Sequence, residues 1–166
     1  MARLFWVTAL LTMGLLSGCG SSIKSTTAMD SSAKQQISSS KLVVDTIDDG
    51  KFNIPDHIQA RLKSYLKNEL AKRDLLAEEG ASNANRIQIK VTYYRMRGGV
   101  ARDILGVLAG KDGIQADVLI LPPDSDKPLH TITASSFNFT AAGTEEEMPR
   151  LFAGVVAKEI DKQLHR

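Results

Sequence analysis

Apolar and polar positions follow two different periods along residues 41–166, and the switches between them lay out the elements. The β-branched run 41–47 predicts a strand, closed by Asp48, Asp49 and Gly50. After Pro55, the residues Ile58, Leu62, Tyr65, Leu66 and Leu70 recur every three or four positions, which predicts a helix ending near Gly80. Ile87, Ile89, Val91 and Tyr93 then alternate with Gln88, Lys90, Thr92 and Tyr94, the period of a half-buried strand with Lys90 and Tyr94 on its outward face. Gly98 and Gly99 break that pattern, and the apolar stretch 100–109 predicts a short, nearly buried helix. A strand over 114–121, a proline turn over 122–128 and a returning strand over 129–140 predict an antiparallel hairpin. Met148, Leu151, Phe152, Val155, Val156, Ile160 and Leu164 mark an amphipathic terminal helix. Its start is set either by the capping-box spacing of Thr144 and Glu147 or by Pro149 in the first helical turn.

The resulting order, β-α-β-(short α)-β-β-α, predicts an α+β fold: a single mixed β-sheet with helices packed on it. The first two strands are expected to be parallel, joined by a right-handed crossover.

Residues 1–40 obey neither period. A short basic head ending at Arg3 precedes an apolar run over 4–15, the length of a signal-peptide core and too short to span a bilayer. The run closes on Leu16-Ser17-Gly18-Cys19, which contains the one cysteine of the chain. These four residues resemble the lipobox of bacterial lipoproteins. The resemblance implies removal of the signal peptide 1–18, acylation of Cys19 with palmitate-type chains, and a mature N-terminus at Cys19. Gly20 in the following position implies sorting to the outer membrane, with the protein on its periplasmic face. Residues 19–40 are rich in Ser and Thr and poor in apolar side chains, so they are expected to form the lipidated terminus and a flexible tether. Such a tether would have an r.m.s. reach of roughly 25 Å. Residues 41–166 are expected to form a single globular domain.

Charge narrows the partners. The whole chain carries a formal +2, but Arg3, Lys24, Lys34 and Asp30 lie outside 41–166 and leave that body neutral. Nucleic acid, which requires clustered cations in excess over acids, is not an expected partner. Beyond Cys19 no cysteine remains for a disulfide, so stability must come from packing.

Catalytic signatures are sparse. Neither G-x-S-x-G nor H-E-x-x-H occurs, and His57, His130 and His165 lack the spacing of metal ligands. Glu145, Glu146 and Glu147 are explained by the favourable field at a helix N-terminus, and Asp124 and Asp126 by a proline turn. The expectation is a protein that is not an enzyme and uses no cofactor or metal. One basic concentration stands out, comprising Arg86, Lys90, Arg95, Arg97 and Arg102, with no acid among them before Asp103. Arg95, Arg97 and Arg102 are the candidate partner-binding residues, able to meet lipid phosphates or an acidic protein; a solvated face paired with nearby acids accounts for the same residues.

Arg102-x-x-x-Gly106-x-x-x-Gly110, followed by a strand, a polar turn, a returning strand and a terminal helix, resembles the bacterial lipoproteins grouped as Domain of Unknown Function 4410. The wider layout is similar to the TolB N-terminal and curli-secretion lipoprotein domains. That resemblance implies no catalytic residues. The expected function is a lipid-anchored, periplasm-facing lipoprotein that binds a protein partner as an envelope assembly or secretion accessory. A binder of envelope glycan or lipid headgroups, and an uncharacterised enzyme, are the alternatives.

Overall fold

Backbone pairing, more than side-chain period, decides how this chain begins. The computed structural model describes residues 20–96, 112–138 and 146–166. Its elements are β1 (Gly20–Thr26), α1 (Ser31–Ser40), β2 (Leu42–Asp48), α2 (Asp56–Ala71), β3 (Asn85–Arg95), β4 (Asp112–Leu121), β5 (His130–Asn138) and α3 (Glu147–Leu164). Five strands form one mixed sheet in the order β1-β5-β4-β3-β2. β2 runs parallel to β3, as the crossover predicts, and β4 and β5 form the expected antiparallel hairpin. The fold is α+β, a single mixed sheet with three helices packed on it among the described residues. The predicted short helix over 100–109 lies outside the described residues.

One face of the sheet and the helices share the core. Ile87, Ile89, Val91, Ile114, Ala116, Val118, Ile120, Ile132 and Ala134 meet Ile58, Leu62, Leu66 and Leu70 of α2 and Phe152, Ala153, Val156, Ala157 and Ile160 of α3. α3 lies over β5 and β1, α2 lies over β2, and the two helices pack on each other.

The expected flexible tether is corrected. Residues 20–26 add an edge strand, β1, antiparallel to β5, and residues 31–40 form α1. The Asp30 carboxylate caps α1 by accepting from the Ala33 amide at 2.8 Å, and Met29, Ala33 and Ile37 enter the main core. A Ser/Thr-rich edge strand needs only backbone hydrogen bonds, and a ten-residue helix needs only one apolar pair at i and i+4 when a core is already there to receive it. Neither requirement leaves a strong periodic signal.

Two boundaries also shift. α2 stops at Ala71, not near Gly80, because Asp74 takes a left-handed φ of 55° and the Leu75 amide returns to the Leu70 carbonyl at 3.0 Å. Leu75 then stays buried by bonding Leu42 at the start of β2. α3 begins at Glu147 without a side-chain cap from Glu146, and Thr144 lies outside the described residues. Pro149 sits in the first turn, where its missing N–H leaves no helical bond unmade. Glu146 instead pairs with Arg61 of α2 at 3.2 Å, tying the two helices together.

At the other end of α1, a buried bracket joins three elements. Asn85, at 0% exposure, donates to the carbonyls of Gln36 and Lys41 at 3.3 and 3.2 Å and accepts from the Gln36 amide at 3.2 Å. It locks the sharp reversal at Lys41, where φ is 52°, against the start of β3.

Candidate functional site

Among the described residues, the helices pack on one face of the sheet and none packs on the other, here called the open face. Alternation assigns it Arg86, Gln88, Lys90 and Thr92 of β3, Gln115, Asp117 and Leu119 of β4, and Thr131, Thr133, Ser135 and Phe137 of β5. Ser22 of β1 joins them through its hydroxyl, 3.2 Å from that of Ser135. The side chains of this face are mostly polar and stand in cross-strand rows, with Leu119 and Phe137 as the apolar members and Ser135 buried. Thr133 donates to Asp117 at 2.6 Å, and Lys90 lies in register with Asp48 on one side and Asp117 on the other.

The basic window therefore divides. Arg86 is held in place, reaching Asp45 at 3.4 Å, Asp126 at 3.1 Å and the carbonyls of Pro122 and Ser125, so it clamps the β4–β5 turn to the sheet. Lys90 sits between acids. Arg95 is exposed at the end of β3. Arg97, Arg102 and Cys19 lie outside the described residues. Sequence order groups these cations; the fold puts Arg86 and Arg95 at opposite ends of an eleven-residue strand.

A bulge changes which tyrosine is available. The β3–β4 register shifts between Val91 and Tyr93, so Tyr93 pairs with Gln115 on the open face while Tyr94 pairs with Ile114 and packs on the core. Strict alternation predicts the reverse, because an extra residue in one strand flips every later side chain. The consequence is an aromatic pair at the Gly20 end of the face: Tyr93 and Phe137, centroids 6.0 Å apart and tilted by 51°. The Lys24 ammonium lies 5.8 Å from the Phe137 centroid. Gly113 makes room for this arrangement, since a Cβ there would run into the Phe137 ring.

A buried polar cluster joins β1 and α1 to the rest. His130, 4% exposed, lies 3.1 Å from the Thr26 hydroxyl. Burial pushes its imidazole below the usual histidine value, against the opposing pull of Glu159 and Asp30. Glu159 is buried on α3; that burial raises its carboxyl, but hydrogen bonds from Gln163 and Lys162 outweigh it and hold the group low. Gln163 also accepts from the Met29 amide at 3.4 Å. Sequence spacing sets His130 aside as a metal ligand and says nothing of its burial; the neighbouring strand and helix bury it. Among the described residues no group of three His, Cys, Asp or Glu side chains is placed to hold a metal, and no helix is long and apolar enough to cross a membrane.

A five-stranded mixed sheet backed by helices is a fold shared with solved structures. The chain is similar to the PelC dodecamer from Paraburkholderia phytofirmans, with a TM-score of 0.53 at 13% identity over 84% of this chain and 95% of that one. A single-substitution variant of that dodecamer matches with a TM-score of 0.52 at 11% identity, over the same shares of both chains. A candidate lipoprotein from Caulobacter crescentus CB15 gives a TM-score of 0.42 at 15% identity, over 81% of this chain and 93% of that one. No family model matches the sequence, and no curated protein matches it. At these identities the likeness is one of fold.

Proposed function

We propose that this protein is a lipoprotein of the outer membrane, anchored through Cys19, whose open sheet face binds a protein partner in the periplasm as a non-enzymatic assembly or secretion accessory. The observation that carries the reading is the union of a lipobox-like tetrapeptide, Leu16-Ser17-Gly18-Cys19, with a domain whose described helices leave one mostly polar face of the sheet without a helix on it. A mostly polar sheet face presents a hydrogen-bonding surface better suited to a protein than to a small molecule, which needs a concave pocket. The likeness to PelC, whose fold is found as a dodecamer, supports the same assignment and adds further copies of this chain to the candidate partners.

Two measurements test the reading. Cys19→Ala is expected to abolish labelling by an alkyne fatty acid, since no other residue supplies a thiol. A photo-crosslinking residue at Gln88 or Thr131 on the open face is expected to give discrete adducts in intact envelopes, while one at Lys67 on α2 gives none. Equal labelling of Cys19→Ala, or adducts indifferent to position, rejects the proposal.

A further inference from the structure

Four chain ends meet at one end of the open face. β1 starts there, β3 ends there, β4 starts there and β5 ends there, and the register aligns Arg95, Gly113, Phe137 and Gly20 in a single cross-strand row. Gly20 is thus pinned to Phe137, and Cys19 is covalently the next residue. Consecutive Cα atoms are about 3.8 Å apart, so an acyl chain on Cys19 leaves the domain within a residue's length of this row. With β1 in the sheet there is no slack to lift the domain off the headgroups.

What stands on the row fits a bilayer surface. Tyr93 and Phe137 are half-buried aromatics outside the core, of the kind that settles at the headgroup level. Lys24 lies over the Phe137 ring and Arg95 is exposed beside it, both cations where lipid phosphates would be.

We infer that the Gly20–Phe137 end of the sheet faces the membrane that holds the lipid anchor, with Tyr93, Phe137, Lys24 and Arg95 on the membrane-proximal side of the domain. The domain then stands upright, β4 along the membrane normal, and its open face points sideways toward neighbours at a fixed height. This rests on the lipidation of Cys19 proposed above.

The experiment uses the lipidated full chain in vesicles of phosphatidylethanolamine and phosphatidylglycerol carrying a headgroup-level nitroxide lipid. Acylation ties up the Cys19 sulfur, so a fluorophore on Ser22→Cys reports the near end alone, and one on Ser125→Cys reports the far end. The ten residues of β4 put about 30 Å between the two ends. Quenching at Ser22→Cys is expected to exceed that at Ser125→Cys several-fold. A Gly/Ser spacer of about ten residues between Cys19 and Gly20 adds roughly 15–20 Å of reach and is expected to erase most of that difference. Equal quenching at the two positions in a protein that takes up the fatty-acid label overturns the apposition and leaves lipidation standing. Absence of label overturns both.

Discussion

Ile37→Ala is the sharpest test of whether the N-terminal segment belongs to the folded body. Ile37 is fully buried, at 0% exposure, in the same core as Leu42, Leu66 and Phe152. Truncating a buried Ile to Ala removes the transfer free energy of the lost carbons and leaves a cavity, together about 2–5 kcal/mol. Helix propensity moves the other way by a few tenths, because Ala is the better helix former. The net expectation is about 3 kcal/mol lost, or roughly 10 °C in melting temperature for a body of this size. α1 has one further constraint, that the loss is capped by the docking free energy of 20–40: if that segment detaches locally, the rest of the domain survives with the helix frayed. The two regimes separate in urea titrations of the Cys19→Ser protein followed by circular dichroism at 222 nm. A lower midpoint at unchanged slope means α1 unfolds with the body, and a separate early transition means it unlatches first. Deleting 20–40 is expected to be worse than Ile37→Ala, since it also strips β1 from β5 and leaves a new sheet edge. An Ile37→Ala midpoint within error of the parent would refute the reasoning, and residues 20–40 would be a tether after all.

Asn85→Ala is expected to cost about 1–3 kcal/mol, because it removes a buried side chain's bonds to the Gln36 and Lys41 carbonyls and from the Gln36 side-chain amide, and hydrogen exchange should rise first at the α1–β2 junction. Ser136→Ala is expected to be neutral or to stabilise by up to about 1 kcal/mol, since the buried Ser136 hydroxyl has no hydrogen-bond partner among the described residues; a loss above that range in thermal melts would reveal a partner. His130 sets an acid limb. Its folded-state value lies below the ordinary 6.5, so the unfolded chain binds the proton first; its contribution is complete above that pH and is lost as pH falls through 6.5 toward the folded value. Asp30, Glu69 and Glu159, all held low, add their losses only below the ordinary carboxylate range. A loss of stability as pH falls below 6.5 that disappears in His130→Gln is the expected signature, and an identical slope in that variant would reject it.

The sequence by itself determined the elements whose side chains carry a strong period. Ile58, Leu62, Leu66 and Leu70 marked α2, Ile87, Ile89 and Val91 marked β3, and the terminal stripe marked α3, because each buries a continuous apolar face that no other conformation would cover. Parallel pairing of β2 and β3 followed from chain connectivity, and the hairpin from its proline turn. Only the tertiary structure decided the rest, and in each case the deciding partner was distant in sequence. Ser-rich 20–40 acquired order from β5 and from a core assembled by later residues. Tyr93 and Tyr94 exchanged faces through a bulge that exists only in the pairing of two strands. Arg86 left the basic window for Asp45 and Asp126, forty-one and forty residues away. His130 became buried because Thr26 and α3 closed over it. Period is a local property that a single element expresses alone, whereas edge pairing, register and ion pairs depend on surfaces that exist only once the other elements have come together.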